Sequence, residues 1–284
     1  MGGEYGKIGF IGGGNMGEAI IGALVHSRIF PPESIFVTDV SSQRLDLLGQ
    51  TYGVSLMKGN AQLFSECDII VLAVKPQQMP QVLDQISGAS GYAVPRRKLI
   101  ISIAAGIRME KIEKILYAPL DEISEKKLPI IRVMPNTPAL VLSGISGMVR
   151  NRHTTAKDAA AAKSVLESMG RVIEFDREAL LDAVTAVSGS GPAYVFYLIE
   201  AMTQGGIEAG LSPEDAVTLT LATVEGAARL MAVKKESAES LRKKVTSPGG
   251  TTEAAIKVME HNSVRRHIAD AVLAAAARSE ELSR

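Results

Sequence analysis

A short apolar run, Lys7-Ile8-Gly9-Phe10-Ile11, leads straight into Gly12-Gly13-Gly14-Asn15-Met16-Gly17. Met16, Ala19, Ile20, Ala23 and Leu24 then follow at i, i+3, i+4, i+7 and i+8, one face of a helix. A strand, a glycine-rich turn and an amphipathic helix in immediate succession allow few folds. Each glycine of this G-x-G-x-x-G pattern has a physical task. Gly12 permits the tight turn, Gly14 lets a pyrophosphate approach the backbone, and Gly17 lets the helix pack close to the strand. The free N–H groups at the helix start would carry the phosphates. Asp39 lies 22 residues beyond Gly17, at the end of the next apolar run. A carboxylate there bonds a ribose 2′-hydroxyl, which favours NAD. Ser41, Ser42 and Arg44 follow at once and offer groups that could hold a phosphate instead.

The rest of the first half repeats the theme. Ile35 to Thr38, Val54 to Met57, Asp68 to Val74, Leu99 to Ile103 and Ile130 to Val133 read as strands. Asp68 to Val74 is apolar without alternation, as expected of a strand covered on both faces. Helical segments between these runs, such as Arg44 to Gln50, imply parallel crossovers and a doubly wound α/β sheet. Beyond about residue 175 the β-branched clusters thin out. Val195, Leu198, Ile199 and Met202 keep helical spacing, as do Val217, Leu221, Val224 and Ala228. Ser212-Pro213-Glu214-Asp215 is a helix start, with a capping serine, proline at the first helical position and acids at the positive end of the dipole. Glu253 to Arg284 reads as helical nearly throughout. The expected division is therefore residues 1–176, a dinucleotide-binding domain of Rossmann-like fold, and residues 177–284, an all-helical domain.

Composition narrows the partners. With 31 Lys plus Arg against 31 Asp plus Glu, the chain lacks the basic excess of a general nucleic-acid binder. The longest apolar stretch, Leu99 to Ile107, falls short of the ~20 residues that span a bilayer. No basic segment followed by a long apolar one precedes Ile8, so neither a signal peptide nor a membrane association is expected. The single cysteine, Cys67, cannot form an internal disulfide, and the expected location is the cytoplasm. Cys67 borders a buried run and reads as a small core residue. His26, His153, His261 and His267 are scattered without metal-ligand spacing, so no metal is expected.

Five further motifs stand in order. They are Ala73-Val74-Lys75-Pro76, Ser102-Ile103-Ala104-Ala105-Gly106, Met134-Pro135-Asn136-Thr137-Pro138, Ser188-Gly189-Ser190-Gly191-Pro192-Ala193-Tyr194 and Ser247-Pro248-Gly249-Gly250-Thr251-Thr252. The residues speak for some of them directly. Lys75-Pro76 ends the strongest strand, where ligands bind in open α/β sheets, and Pro76 bars further pairing. Ser247 to Thr252 precedes a helix, and its glycines let backbone N–H groups converge on a carboxylate; a plain loop and helix cap is the alternative. Ser188 to Gly191 reads as a tight packing turn before a helix with Pro192 at its first position.

Together with the glycine fingerprint, these motifs resemble pyrroline-5-carboxylate reductase over nearly the whole chain. The resemblance implies a dinucleotide domain followed by a helical dimerisation domain. It also implies dimers that can assemble into decamers, and reduction of 1-pyrroline-5-carboxylate to L-proline with NADPH or NADH. Carried over residue by residue, Gly12, Gly14, Asn15, Met16 and Gly17 belong to the pyrophosphate turn, and Asn60 to the adenosine ribose. Ala73, Lys75 and Pro76 line the cofactor crevice, and Ala104, Ala105, Met134 and Asn136 surround the nicotinamide half. Ser247, Gly250 and Thr251 hold the substrate carboxylate. Thr252 hydrogen-bonds the ring nitrogen and is the candidate catalytic residue. Lys75 is either a surface lysine or a direct participant. Asp39 departs from the neutral or basic residue expected of NADPH users and leans toward NADH or dual use. Two other readings compete: a β-hydroxyacid dehydrogenase, which uses a lysine in its helical domain, and a non-enzymatic dinucleotide sensor.

Overall fold

The structure, a computed structural model, describes residues 5–283. Eight strands build one sheet: β1 (Ile8–Ile11), β2 (Ile35–Thr38), β3 (Ser55–Leu56), β4 (Ile69–Leu72), β5 (Leu99–Ser102), β6 (Ile130–Met134), β7 (Gly144–Arg150) and β8 (Gly170–Glu174). Their order is β3-β2-β1-β4-β5-β6-β7-β8. Neighbours run parallel except β6 and β7, which pair antiparallel. The order reverses direction at β1 and β4, which opens a crevice outside their carboxyl ends.

Helices α1 (Asn15–Ser27), α2 (Ser42–Tyr52), α3 (Asn60–Glu66), α4 (Met79–Ser87), α5 (Met109–Leu116), α6 (Glu122–Glu125), α7 (Ala156–Glu167) and α8 (Leu180–Val184) accompany the sheet. β1, β4 and β5 are buried on both faces, so their successive residues serve two cores. Ile69 and Val71 join Leu99, Ile101, Ile131 and Val133 on the face covered by α1 and α7. Ile70 and Leu72 join Ile100 and Ile130 on the face covered by α3, α4 and α5. This two-sided burial is what the unbroken apolar runs demand. Cys67 is fully buried in the second core, and burial pushes its thiol up to about 12, as suits a packing residue.

The second half continues with α9 (Gly191–Glu208), α10 (Pro213–Lys234), α11 (Ala238–Lys244), α12 (Thr251–His261) and α13 (Val264–Ser283). Ser212 caps α10 by accepting the Asp215 N–H at 3.1 Å. A break at Asn262 and Ser263, where Ser263 takes φ +52°, divides the long terminal helix that the sequence pattern suggests. By contacts the described chain forms two compact units, residues 5–189 with 276–283, and residues 190–275. In the second unit α9 packs on α10, with Gly206 close to Ala216. Many of their apolar side chains stay exposed, Phe196, Tyr197, Leu219 and Leu221 among them. Helix α10 is 22 residues long and holds an 18-residue window of mean hydropathy 1.4, enough to cross a membrane by length and composition alone. Its threonines, Glu225 and Arg229 interrupt the apolar residues and hide this from a search for unbroken runs.

One buried ionic cluster ties the first unit together. Thr155 and Asp158 cap the start of α7 reciprocally. Asp158 also accepts hydrogen bonds from Tyr5 and from Arg97, whose Nε lies 2.8 Å from Oδ1. Burial opposes the charge on Asp158, but Arg97, Thr155 and Tyr5 outweigh it and hold the carboxyl at about 2. Because that value lies below the unfolded one, the ionised carboxylate stabilises the fold above roughly pH 4. The contribution is lost as the pH falls from there toward 2. Asp158→Asn is expected to destabilise the protein by about 3 kcal/mol at pH 7. Urea denaturation of both proteins from pH 7 to pH 2.5 should show the gap narrowing with acid, and a constant gap would contradict the assignment.

Candidate active site

Close backbone approach builds the crevice. Gly12 sits at φ +102°, and a Cβ there would come 2.7 Å from the Ala73 carbonyl oxygen. A Cβ on Gly17 would come 2.5 Å from the Gly12 carbonyl oxygen. β1, α1 and the end of β4 therefore meet where only glycine fits. Gly14 differs. It is the N-cap residue of α1, at φ −65°, and a Cβ there would meet nothing within 4 Å. The space before the helix start is open, and the unpaired N–H groups of the first turn face no side-chain cap.

This turn is one end of a cleft of about 870 Å³. Gly12, Gly14, Asp39, Asn60, Ala73 and Lys75 line it together. Its size and its place at the switch point suit a dinucleotide. Asp39 holds the turn in shape. Its Oδ2 accepts the Gly13 N–H at 2.7 Å and its Oδ1 accepts the Ser41 N–H at 2.9 Å. Arg44, which the sequence offers as a phosphate ligand, is engaged elsewhere. Its guanidinium donates to the Gly13 carbonyl and pairs with Glu18, which also accepts the Tyr52 hydroxyl at 3.1 Å. Ser41 Oγ accepts the Arg44 N–H and so serves as the α2 cap. Asn60 begins α3, accepts the Thr38 hydroxyl at 2.7 Å and donates to Gln85 at 2.7 Å.

The remaining residues singled out for the cofactor lie outside the cleft lining. Asn15 and Met16 form the first turn of α1, and Gly17 is buried beneath it. Pro76 starts the short 3-10 turn that follows Lys75. Ala104 and Ala105 follow β5, Met134 ends β6, and Asn136 follows it. Because β1 to β6 are parallel, all of these occupy the same carboxyl edge of the sheet. Asn136 is buried, and its Oδ1 accepts the Ile145 N–H at 2.9 Å, which fixes the turn into β7. Residues Thr185–Gly189 form a π-helical turn, and a Cβ on Gly189 would come 2.6 Å from Met134 Cε. The Ser188 motif is thus a packing turn against Met134.

Sequence reading missed several cleft residues. Thr38, Lys58, Gln78, Gln81 and Gln85 all line it. The glutamines recur at helical spacing through the segment after Lys75, a pattern that reveals one polar face. Lys58 carries no such signal. Among the described residues no group of three His, Cys, Asp or Glu side chains could hold a metal.

Within the second unit, Ser247 to Gly250 form the turn that enters α12, while Thr251 and Thr252 open that helix. Gly249 takes φ +72°, and the Gly250 N–H donates to the Ser247 carbonyl at 3.0 Å. The first helical bond runs from the Ala254 N–H to the Gly250 carbonyl. The N–H groups of Thr251, Thr252 and Glu253 are therefore without intrahelical partners, and Ser247 and Thr251 are exposed. Such a terminus attracts carboxylates. Glu253 already uses this property: its carboxylate accepts the Gly249 N–H at 2.9 Å, and that bond and Lys257 hold its carboxyl below the ordinary range.

Residues 178–282 match the family described as pyrroline-5-carboxylate reductase dimerisation, and residues 7–106 match the one described as NADP oxidoreductase coenzyme F420-dependent. A pyrroline-5-carboxylate reductase of Synechocystis sp. is 40% identical over 278 residues, covering 98% of each chain. The enzyme of that name from Arabidopsis thaliana is 36% identical over 277 residues, covering 98% of this chain and 95% of its own. The solved structure of a pyrroline-5-carboxylate reductase from Coxiella burnetii superposes with a TM-score of 0.88 at 37% identity, covering 99% of this chain and 100% of its own. A pyrroline carboxylate reductase of Plasmodium falciparum, solved with NADP bound, gives 0.85 at 31% identity, with both chains fully covered.

The glycine geometry separates two effects. Gly14→Val leaves the backbone unstrained and points into open space, so its melting temperature should stay near that of the parent while NADH affinity falls tenfold or more. Gly12→Ala should lower both. Paired calorimetric and fluorescence titrations check this, and unimpaired NADH binding by Gly14→Val would refute the placement of the phosphates.

Proposed function

This chain belongs to the pyrroline-5-carboxylate reductase family, and from that premise we propose how its residues share the chemistry. The chain reduces 1-pyrroline-5-carboxylate to L-proline, the last step of proline biosynthesis, with NADPH or NADH. The observation that carries the reading is the presence, in one chain, of a glycine-built dinucleotide cleft and of a helix start with three unpaired N–H groups.

The bound reduced nicotinamide supplies a hydride to the imine carbon of the substrate. The chain's own residues bind and orient. Gly12, Gly14 and the first turn of α1, with Asn15, Met16 and Gly17, take the pyrophosphate. Asp39 and Asn60 take the adenosine ribose. Ala73, Lys75 and Pro76 border the crevice, and Ala104, Ala105, Met134 and Asn136 shape the nicotinamide end. Ser247, Gly250 and Thr251 hold the substrate carboxylate at the positive end of α12. A protonated imine is already electrophilic, so positioning matters more than strong acid catalysis. Thr252 orients the ring nitrogen and relays its proton.

The dimerisation match covers the exposed apolar helices α9 and α10, and it supports residues 177–284 as the substrate and dimerisation domain behind a cofactor domain of residues 1–176. A second copy covers Phe196, Tyr197, Leu219 and Leu221. The family resemblance supports further assembly to a decamer, and the one buried cysteine supports a cytoplasmic location.

The direct test is initial-rate oxidation of NADH and of NADPH with 1-pyrroline-5-carboxylate. Proline formation is the expected outcome; a folded protein that binds cofactor yet turns over neither mixture would remove the assignment. Thr252→Ala should lower kcat by about 10–100-fold through loss of a hydrogen bond to a charged centre. Ser247→Ala should act mainly on the KM for the imine, with the KM for cofactor unchanged.

A further inference from the structure

The adenosine end of the cleft holds a cation that the function described so far does not use. β2 and β3 pair in parallel, Phe36 beside Ser55 and Val37 beside Leu56, and the Met57 N–H continues the ladder to the Val37 carbonyl at 2.9 Å. Two residues further, the same register brings Lys58 beside Asp39, and both line the cleft. No ion pair forms between them, because Asp39 turns its two oxygens to the Gly13 and Ser41 N–H groups. Lys58 is exposed and makes no hydrogen bond or ion pair among the described residues. The other cations are placed differently. Arg44 is held by Gly13 and Glu18, and Lys75 stands at the end of β4, across β1 from β2.

Asp39 alone would discriminate against a 2′-phosphate by like-charge repulsion. An unpaired ammonium one strand away reverses that field at the same place. Lysine suits the task, since it binds phosphate as a point charge on a flexible stem. It can swing onto a phosphate and stay in water when a ribose diol occupies Asp39. We propose that Lys58 is the 2′-phosphate anchor of this cleft and the residue that lets an Asp39-bearing turn accept NADPH as well as NADH. The proposal rests on the dinucleotide reading of the cleft.

Adenosine 2′,5′-bisphosphate and 5′-AMP test it without turnover. By calorimetry, Lys58→Ala should weaken the bisphosphate about tenfold, the loss of one charge-assisted contact, and leave 5′-AMP within about twofold. Lys58→Arg should restore the bisphosphate, and the steep salt dependence of its binding should flatten in Lys58→Ala. In the reductase assay, Lys58→Ala should raise the KM for NADPH while kcat and the KM for NADH hold. Unchanged bisphosphate affinity, or equal loss of both probes, overturns the proposal. Absence of any turnover with the imine would instead sink the reductase reading, and the two adenosine probes would still report on Lys58.

Discussion

The structure depends on how closely one helix can approach two strands. Gly17 in α1 packs on the Gly12 carbonyl, and Gly12 packs on the Ala73 carbonyl at the end of β4. Any side chain at either position would push α1 away from the sheet. The same contact that brings the cores together leaves the helix start uncovered at Gly14. Packing and access thus fall to different glycines of one short turn. Gly12 and Gly17 must be bare to let α1 dock, and Gly14 between them leaves the helix start open.

A second layer keeps that turn rigid, and it draws on residues whose obvious reading is different. Asp39 reads as a ribose ligand, yet its carboxylate also carries two backbone N–H groups of the turns it joins. Arg44 reads as a phosphate ligand, yet it braces Gly13 from below through Glu18 and Tyr52. Burial and the neighbouring Glu18 carboxylate push the Tyr52 phenol up, which keeps it a neutral hydrogen-bond donor. Changing Asp39 to alter cofactor choice would therefore also loosen the glycine turn.

What the sequence made legible follows from how local each signal is. The central strands announce themselves because burial on both faces leaves an unbroken apolar run, as in Ile69 to Leu72. The glycine cradle is legible because its three glycines are adjacent in the chain and each has one steric reason. β7 and β8 were not apparent. Gly144 to Arg150 mixes glycine and serine with its apolar residues, and Gly170 to Glu174 holds only Val172 and Ile173 between Arg171 and Glu174 at a sheet edge. The antiparallel turn between β6 and β7 depends on a buried Asn136 side chain, which no periodicity reveals. Lys58 was invisible for a related reason: its meaning comes from strand register, not from its neighbours in sequence.

The carboxyl edge of the sheet shows the same non-local logic. Two segments distant in sequence close on the loops that follow β5 and β6. The π-helical turn Thr185–Gly189 brings Gly189 against Met134. The end of α13 brings the Leu282 carbonyl within 3.1 Å of where a Gly106 Cβ would stand, and Ser279 donates to buried Asp182 at 2.7 Å. Neither contact is large. Both are specific, because one needs a missing side chain and the other a paired buried carboxylate. The last turn of α13 is thereby part of the wall that carries Ala104 and Ala105, and α13 and the π turn together hold the loops after β5 and β6 in place. A change in the last turn of α13 would reach the loop after β5 through Gly106.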